Sequence, residues 1–225
     1  MPESFVADLS DYRSPAVFNP WGESDQLHDC DSCGPEIRRR QLEKYLAERI
    51  GTAKILLLAE AIGYQGGHFS GIPMTSERLL LDGLRHKNLG PELVFSGLKP
   101  QRTSRAELRP QGFTEPTATI VWGFLVDNDI DPCSVVLWNA FPWHPFQPKK
   151  GLLSNRTPTD EELAAGHQVV HRMLALGRFN QVVAVGEKSF KQLEGLGIPA
   201  TKVRHPANGG AGKFRAQMLA LMAQL

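Results

Sequence analysis

Four stretches of the chain are nearly continuous in apolar residues or carry them to an abrupt polar stop: KILLLAE (54–60), SVVLWNAF (134–141), QVVAVG (181–186) and TKVRHP (201–206). Runs of this length read as β-strands. The first three lack the polar alternation of a half-exposed sheet, so they are expected in a parallel sheet buried on both faces. Between them the apolar spacing turns helical. Over 35–50, Leu42, Leu46 and Ile50 recur every fourth residue, with Pro35 where a first turn tolerates it. Further helices are predicted over 75–87, 115–129, 157–177, 188–196 and 211–225, the last with Phe214, Met218 and Met222 on one face. Within 157–177, Thr159 followed three residues later by Glu162 has the pattern of a capping box. Alternating strand and helix predicts an α/β fold, a three-layer α/β/α sandwich around a central, mainly parallel four-stranded sheet. Residues 1–34 have the least regular pattern and are expected to wrap the surface of a single domain spanning 1–225.

Composition narrows the class. A chain of 225 residues with 41% hydrophobic and 22% charged residues can bury one sizeable core. No apolar run approaches the roughly 20 residues that cross a bilayer, so no membrane partner is expected. The opening MPESFVADLSDYRSP lacks a basic-then-apolar signal pattern, and three cysteines suit reduced thiols, so a cytoplasmic monomer is expected. A nucleotide-handling hydrolase is disfavoured because no G-x-x-x-x-G-K-[ST] loop occurs. The net charge of +1 conceals basic loops. Lys99, Arg102, Arg105 and Arg109 stand against Glu107 alone, Lys149, Lys150 and Arg156 cluster, and Lys202, Arg204, Lys213 and Arg215 have no acid among them. Such loops suit a phosphate-tracking surface, or are simply solvated.

Ligands of an open α/β sheet sit at the carboxyl ends of its strands. Three of the four predicted ends carry a chemically useful group: Glu60, Asn139 and His205. Each alone is commonplace; a carboxylate, an amide and an imidazole facing one crevice are a candidate active site. After His205, Pro206 helps stop the strand, and Asn208, Gly209 and Gly210 permit a tight turn. The helix beginning near Ala211 then offers its N-terminal amides to a phosphate.

These residues resemble the motifs of the uracil-DNA glycosylase superfamily. LLLAEAIGYQGGHFSGIPM is similar to its first motif, in the branch reading Gly-Glu-Ala-Pro-Gly and then Gly-x-Pro-Phe, with Ile62 in place of the proline. VVLWNA is similar to the strand carrying its base-reading asparagine, HPANGG to its His-Pro-Ser motif, and SNRTPTDEELAAG to a stretch of the iron–sulfur-bearing branch. The resemblance covers about 54–215 and implies excision of uracil, or another deaminated base, flipped out of DNA. Glu60 would position the attacking water, His205 would donate to uracil O2, and Asn139 would bond O4 and N3–H. Other branches carry the acid one position later, where Ala61 stands, so Glu60 is the candidate here.

The resemblance also implies a base pocket formed by Gly63, Met74 and Phe69. Gly63 lies where some members place a thymine-excluding tyrosine, Met74 takes the aromatic position, and Phe69 could supply a ring. Trp143 and His144 are expected at the pocket rim, with Trp138 in the core. DNA is expected along Arg102, Arg105, Lys149, Asn208, Gly209, Gly210 and Lys213. The loop after His205 holds Ala207, Gly210 and Ala211 rather than a bulky wedge, which implies a preference for single-stranded or mismatched uracil. Cys30 and Cys33 stand where the iron–sulfur branch has its first two ligands, but FPWHP (141–145) and Gly166 occupy the other two places. A cluster needs four thiolates, so neither cluster nor other cofactor is expected; the alternative is zinc held by His28 or another histidine with the two cysteines. The other functional alternative is a nucleic-acid-binding module that has lost catalysis.

Overall fold

The computed structural model describes residues 1–224. In chain order it runs α1 (Pro2–Ser10), β1 (Val17–Phe18), α2 (Gly34–Ala47), β2 (Ile55–Ala61), α3 (Gly67–Ser70), α4 (Glu77–Leu80), α5 (Pro116–Asp127), β3 (Val135–Phe141) and β4 (His144–Pro145). It continues α6 (Asp160–Leu176), β5 (Gln181–Val185), α7 (Glu187–Gly195), β6 (Thr201–Val203) and α8 (Ala211–Met222). The main sheet has the order β3-β2-β5-β6, and every neighbouring pair is parallel. Helix α6 packs on β3, α7 on β5 and β2, and α8 on β6. This is the α/β architecture that the strand–helix alternation predicts. The register pairs Ala59 with Asn139, which sets the ends of β2 and β3 side by side.

The strands form where apolar runs make exposure costly. Ile55 to Ala59 of the central β2 are all buried, as is all of β3. β3 lies at the edge of the sheet, where unpaired backbone groups would otherwise face solvent. Here Leu137 N–H donates to the Tyr45 hydroxyl at 2.8 Å. Phe5 and Trp21 cover Trp138, with ring centroids 5.5 and 6.3 Å away. Helix α6 opens as its capping box predicts: Glu162 N–H donates to Thr159 Oγ1 at 3.3 Å, and Thr159 N–H donates to Glu162 Oε2 at 2.8 Å.

Two expectations need correction. Residues 1–34 do not merely wrap the surface. Helix α1 buries Phe5, Val6 and Leu9, Trp21 is inaccessible, and β1 pairs antiparallel with β4. Burying each such side chain stabilises the fold by about 1.5–3 kcal/mol, so this segment is core. Its apolar positions are too few to display a helical period. The helix expected over 75–87 is also broken. Only Glu77–Leu80 is α-helical, because Asp82 takes φ 65° and ends the turn before a short 3-10 segment at Arg85–Lys87. Leu79, Leu80 and Leu84, which produced the helical spacing, are nevertheless buried.

Candidate active site

A crevice of about 510 Å³ opens at the carboxyl end of the sheet. Glu60, Asn139 and His205 all line it. Asn139 sits on β3, 1% exposed, and its Oδ1 has no hydrogen-bond partner among the described residues. A buried acceptor left unpaired costs about 1–3 kcal/mol. Asn139 lines the crevice, so a turn of its amide about the Cβ–Cγ bond would bring that unpaired acceptor to a ligand N–H. Glu60 follows the Ala59–Asn139 register pair and is half-buried. Its Oε1 accepts from Lys188 Nζ at 3.0 Å, and the same ammonium reaches Thr157 Oγ1. Lys188 was not singled out in the sequence, although it stands just past the end of β5 at the start of α7.

His205 leaves β6 and enters a turn shaped around it. Its Nδ1 accepts from Ala207 N–H at 3.1 Å, so the neutral ring carries its hydrogen on Nε2. Burial, and then the neighbouring Arg204 charge, push its pKa below the ordinary histidine value. The imidazole is therefore neutral at pH 7. Asn208 and Gly209 take φ 52° and 73°, the left-handed values that Asn and Gly accept most readily. A Cβ on Gly210 would collide with the His205 carbonyl oxygen, so the close turn requires glycine there.

Gly63 and Met74 also line the crevice. Met74 holds φ 48°, a strained value for a non-glycine residue, while its carbonyl accepts from Trp122 Nε1 at 3.2 Å. Phe69 does not join them. It is fully buried and stacked on Phe113 with centroids 4.3 Å apart, because the short α3 turns it into the interior. Trp143 and His144 are likewise buried rather than at the rim. Trp143 stacks 3.8 Å from Tyr12 and donates to the Leu9 carbonyl. Arg102 folds back onto the Arg109 and Pro110 carbonyls, and Arg105 onto those of Asp29 and Gln26. Arg102 thus braces its own loop, and Arg105 ties that loop to the segment at 26–29. Lys149 and Lys213 are exposed. Asn155 and Arg156, from the SNRTPT stretch, also enter the crevice wall, as does Glu115, which has no sequence signal of its own. Asn155 Oδ1 accepts from Tyr64 N–H at 3.0 Å and so anchors the loop after β2.

Beneath that loop runs a buried polar chain. His28 Nδ1 and His68 Nε2 meet Asp25 Oδ2 at 2.8 and 3.1 Å, His68 Nδ1 meets His144 Nδ1 at 2.9 Å, and His144 Nε2 meets the Ser154 carbonyl at 2.8 Å. The carboxylate and the carbonyl only accept, and one hydrogen lies between the two Nδ1 atoms. Completing every contact would take three protons on the His68–His144 pair, a cation opposite Asp25, but burial outweighs the hydrogen bond with Asp25 and holds the His68 pKa below the ordinary histidine value. Burial opposes charge on Asp25, yet its hydrogen bonds with His68 and His28 and their charge prevail and hold its pKa at about 2. Burial and then the charge of His68 push His144 down to about 3. The chain ties the segment around Asp25 to α3, β4 and the loop at Ser154, and so to both crevice-forming loops.

His28 is committed to this chain, and Cys30 and Cys33 lie exposed outside it. Among the described residues, no three His, Cys, Asp or Glu side chains are grouped to hold a metal ion. The donor set also does not fit a four-thiolate cluster. Gly166 of α6 packs so closely on β3 that a Cβ there would strike the Ala140 carbonyl, and Cys133 lies before the opposite, amino-terminal end of β3.

The crystal structure of wild-type Pedobacter heparinus SMUG2 superposes with a TM-score of 0.61 at 14% identity, covering 99% of this chain and 97% of that one. At that identity the likeness shows a shared fold. No curated relative matches the sequence. The family model described as the Uracil DNA glycosylase superfamily matches residues 52–222. Because that match runs through all four strands of the main sheet and takes in the crevice at their ends, this chain is a member of the uracil DNA glycosylase superfamily.

Proposed function

We propose that the protein is a monofunctional DNA glycosylase that hydrolyses the N-glycosidic bond of uracil, or a related deaminated base, extruded from DNA. The observation that carries this reading is Asn139 in the crevice wall with its amide oxygen unpaired. It accepts the N3–H of uracil while Nδ2 donates to O4. Cytosine presents the opposite pattern and leaves both amide atoms unsatisfied. His205, neutral with its hydrogen on Nε2, donates to O2 as negative charge builds on the departing base. Glu60 orients the water and offsets positive charge on the sugar, its own position fixed by Lys188. The base must leave the stack because the sugar carbon is otherwise unreachable.

The turn after His205 carries only small side chains, so nothing bulky fills the gap that a flipped base leaves in a duplex. This supports a preference for single-stranded or mismatched uracil. The test is single-turnover base release from labelled uracil oligonucleotides, single-stranded and paired with adenine, read as strand cleavage after alkali. The expected result is faster release from the single strand and losses of about 100-fold or more in Asn139→Ala, His205→Ala and Glu60→Ala. Wild-type rates in all three variants overturn the assignment. One observation favours a second reading: Lys188 already occupies Glu60. Binding without cleavage would identify a catalytically silent binding module.

A further inference from the structure

Glu115 is a second carboxylate of the crevice, and no structural task explains it. It stands at the N-cap of α5, with φ −106° and ψ 116°, yet its side chain makes no capping bond. Among the described residues it has neither a side-chain hydrogen bond nor an ion pair. Its carboxyl instead lies over the backbone of Gly66, where any added Cβ would overlap Oε2. Gly66 therefore keeps open the space that Glu115 fills in the wall shared with Glu60, Asn139 and His205.

The charged groups that share or border its crevice are already engaged. Lys188 holds Glu60, Arg156 holds Glu162 through two hydrogen bonds, and His205 is neutral at pH 7. The positive end of α5 favours an anion, but desolvation of the half-buried side chain prevails and pushes the Glu115 carboxyl up to about 7. A carboxylic acid that keeps its hydrogen at neutral pH is a donor, and the crevice holds a place for an acceptor. Asn139 Nδ2 satisfies one lone pair of a bound base's carbonyl oxygen and leaves the other free.

We propose that Glu115 is the proton donor to the departing base, delivering its hydrogen to the free lone pair of that carbonyl oxygen; the assignment rests on the glycosylase reading above. The C1′–N1 bond breaks, and its electron pair passes through the ring to O4, which takes the Glu115 proton. The water oxygen bonds to C1′ and gives its proton to Glu60. Exchange with solvent returns a proton to Glu115 and removes one from Glu60. Nothing is oxidised or reduced, and the base leaves as a neutral enol tautomer instead of an anion.

A proton donor matters most for a poor leaving group, which separates this role from mere packing. Single-turnover release of uracil and of 5-fluorouracil, whose anion is the more stable, is measured on a single strand from roughly pH 5 to 9. The wild type is expected to slow as pH rises through about 7, following Glu115. Glu115→Gln is expected to lose that alkaline limb, with a cost of about 100-fold on uracil and under about 10-fold on 5-fluorouracil. Gly66→Ala displaces the carboxyl without removing it and is expected to cause the same unequal loss. Melting curves of both variants check that they are folded. Rates within about twofold of wild type, or equal losses on both bases with the limb retained, overturn the inference and leave the glycosylase reading standing. A wild type that releases neither base overturns both.

Discussion

At the scale of single residues, the site combines groups that face the crevice with groups that hold them. Lys188 belongs to the second kind. Its ion pair with Glu60 joins side chains 56% and 29% exposed, so its worth to stability is at most about 1 kcal/mol. Its worth to orientation is greater, since Oε1 is held and Oε2 is left for water. Lys188→Ala is expected to melt close to wild type while slowing single-turnover base release about tenfold; a rate equal to wild type would show that Glu60 needs no support. Glu60, Asn139 and His205 were legible in the sequence because each ends an apolar run. Lys188 and Glu115 were not, since a lysine after VVAVGE and a glutamate before a proline look like ordinary helix starts. Phe69 shows the converse error. The resemblance set it with Met74 in the base pocket, but the α3 turn between them sends the ring inward.

At the scale of elements, close approach decides how the layers sit. Helix α6 rests on β3 through Gly166, against the Ala140 carbonyl beside Asn139. Gly166→Ala should push the helix away at a cost of about 1–3 kcal/mol. Because Asn139 is next along the strand, base affinity should fall with it. Denaturant unfolding and uracil-site binding are the two measurements, and unchanged stability would show that the helix yields freely. The four main strands were readable from their apolar runs, and α6 from its capping box. The 75–87 helix was misread because a buried leucine cluster has helical spacing whether or not the backbone continues, and the turn at Asp82 leaves no hydrophobic trace.

At the scale of the whole molecule, buried titratable groups tie stability to pH in opposing senses. His144, lowered from 6.5 to about 3, favours the folded state fully above pH 6.5 and loses that contribution as pH falls towards 3. Asp25, lowered from 3.8 to about 2, acts in the same direction lower down. Glu115, raised from 4.5 to about 7, contributes below 4.5 and loses its contribution as pH rises through 7. Below pH 4.5 the acid-side terms act alone, so Tm should fall steeply there. Glu115→Gln should match wild type near that pH and exceed it increasingly up to about 7. Parallel melting curves that keep a constant gap would contradict this. None of the chain joining Asp25, His68 and His144 was legible, because its members lie far apart in sequence and have no common period.

The region preceding the family match has one practical consequence. The match starts at residue 52, whereas Phe5, Trp21 and Tyr45 shield the outer strand from upstream. Trimming the gene to the matched span would strip that strand bare and leave His68 without the anion it meets. A fragment cut there would be sticky and misshapen, and its inactivity would say nothing about the chemistry of the intact protein.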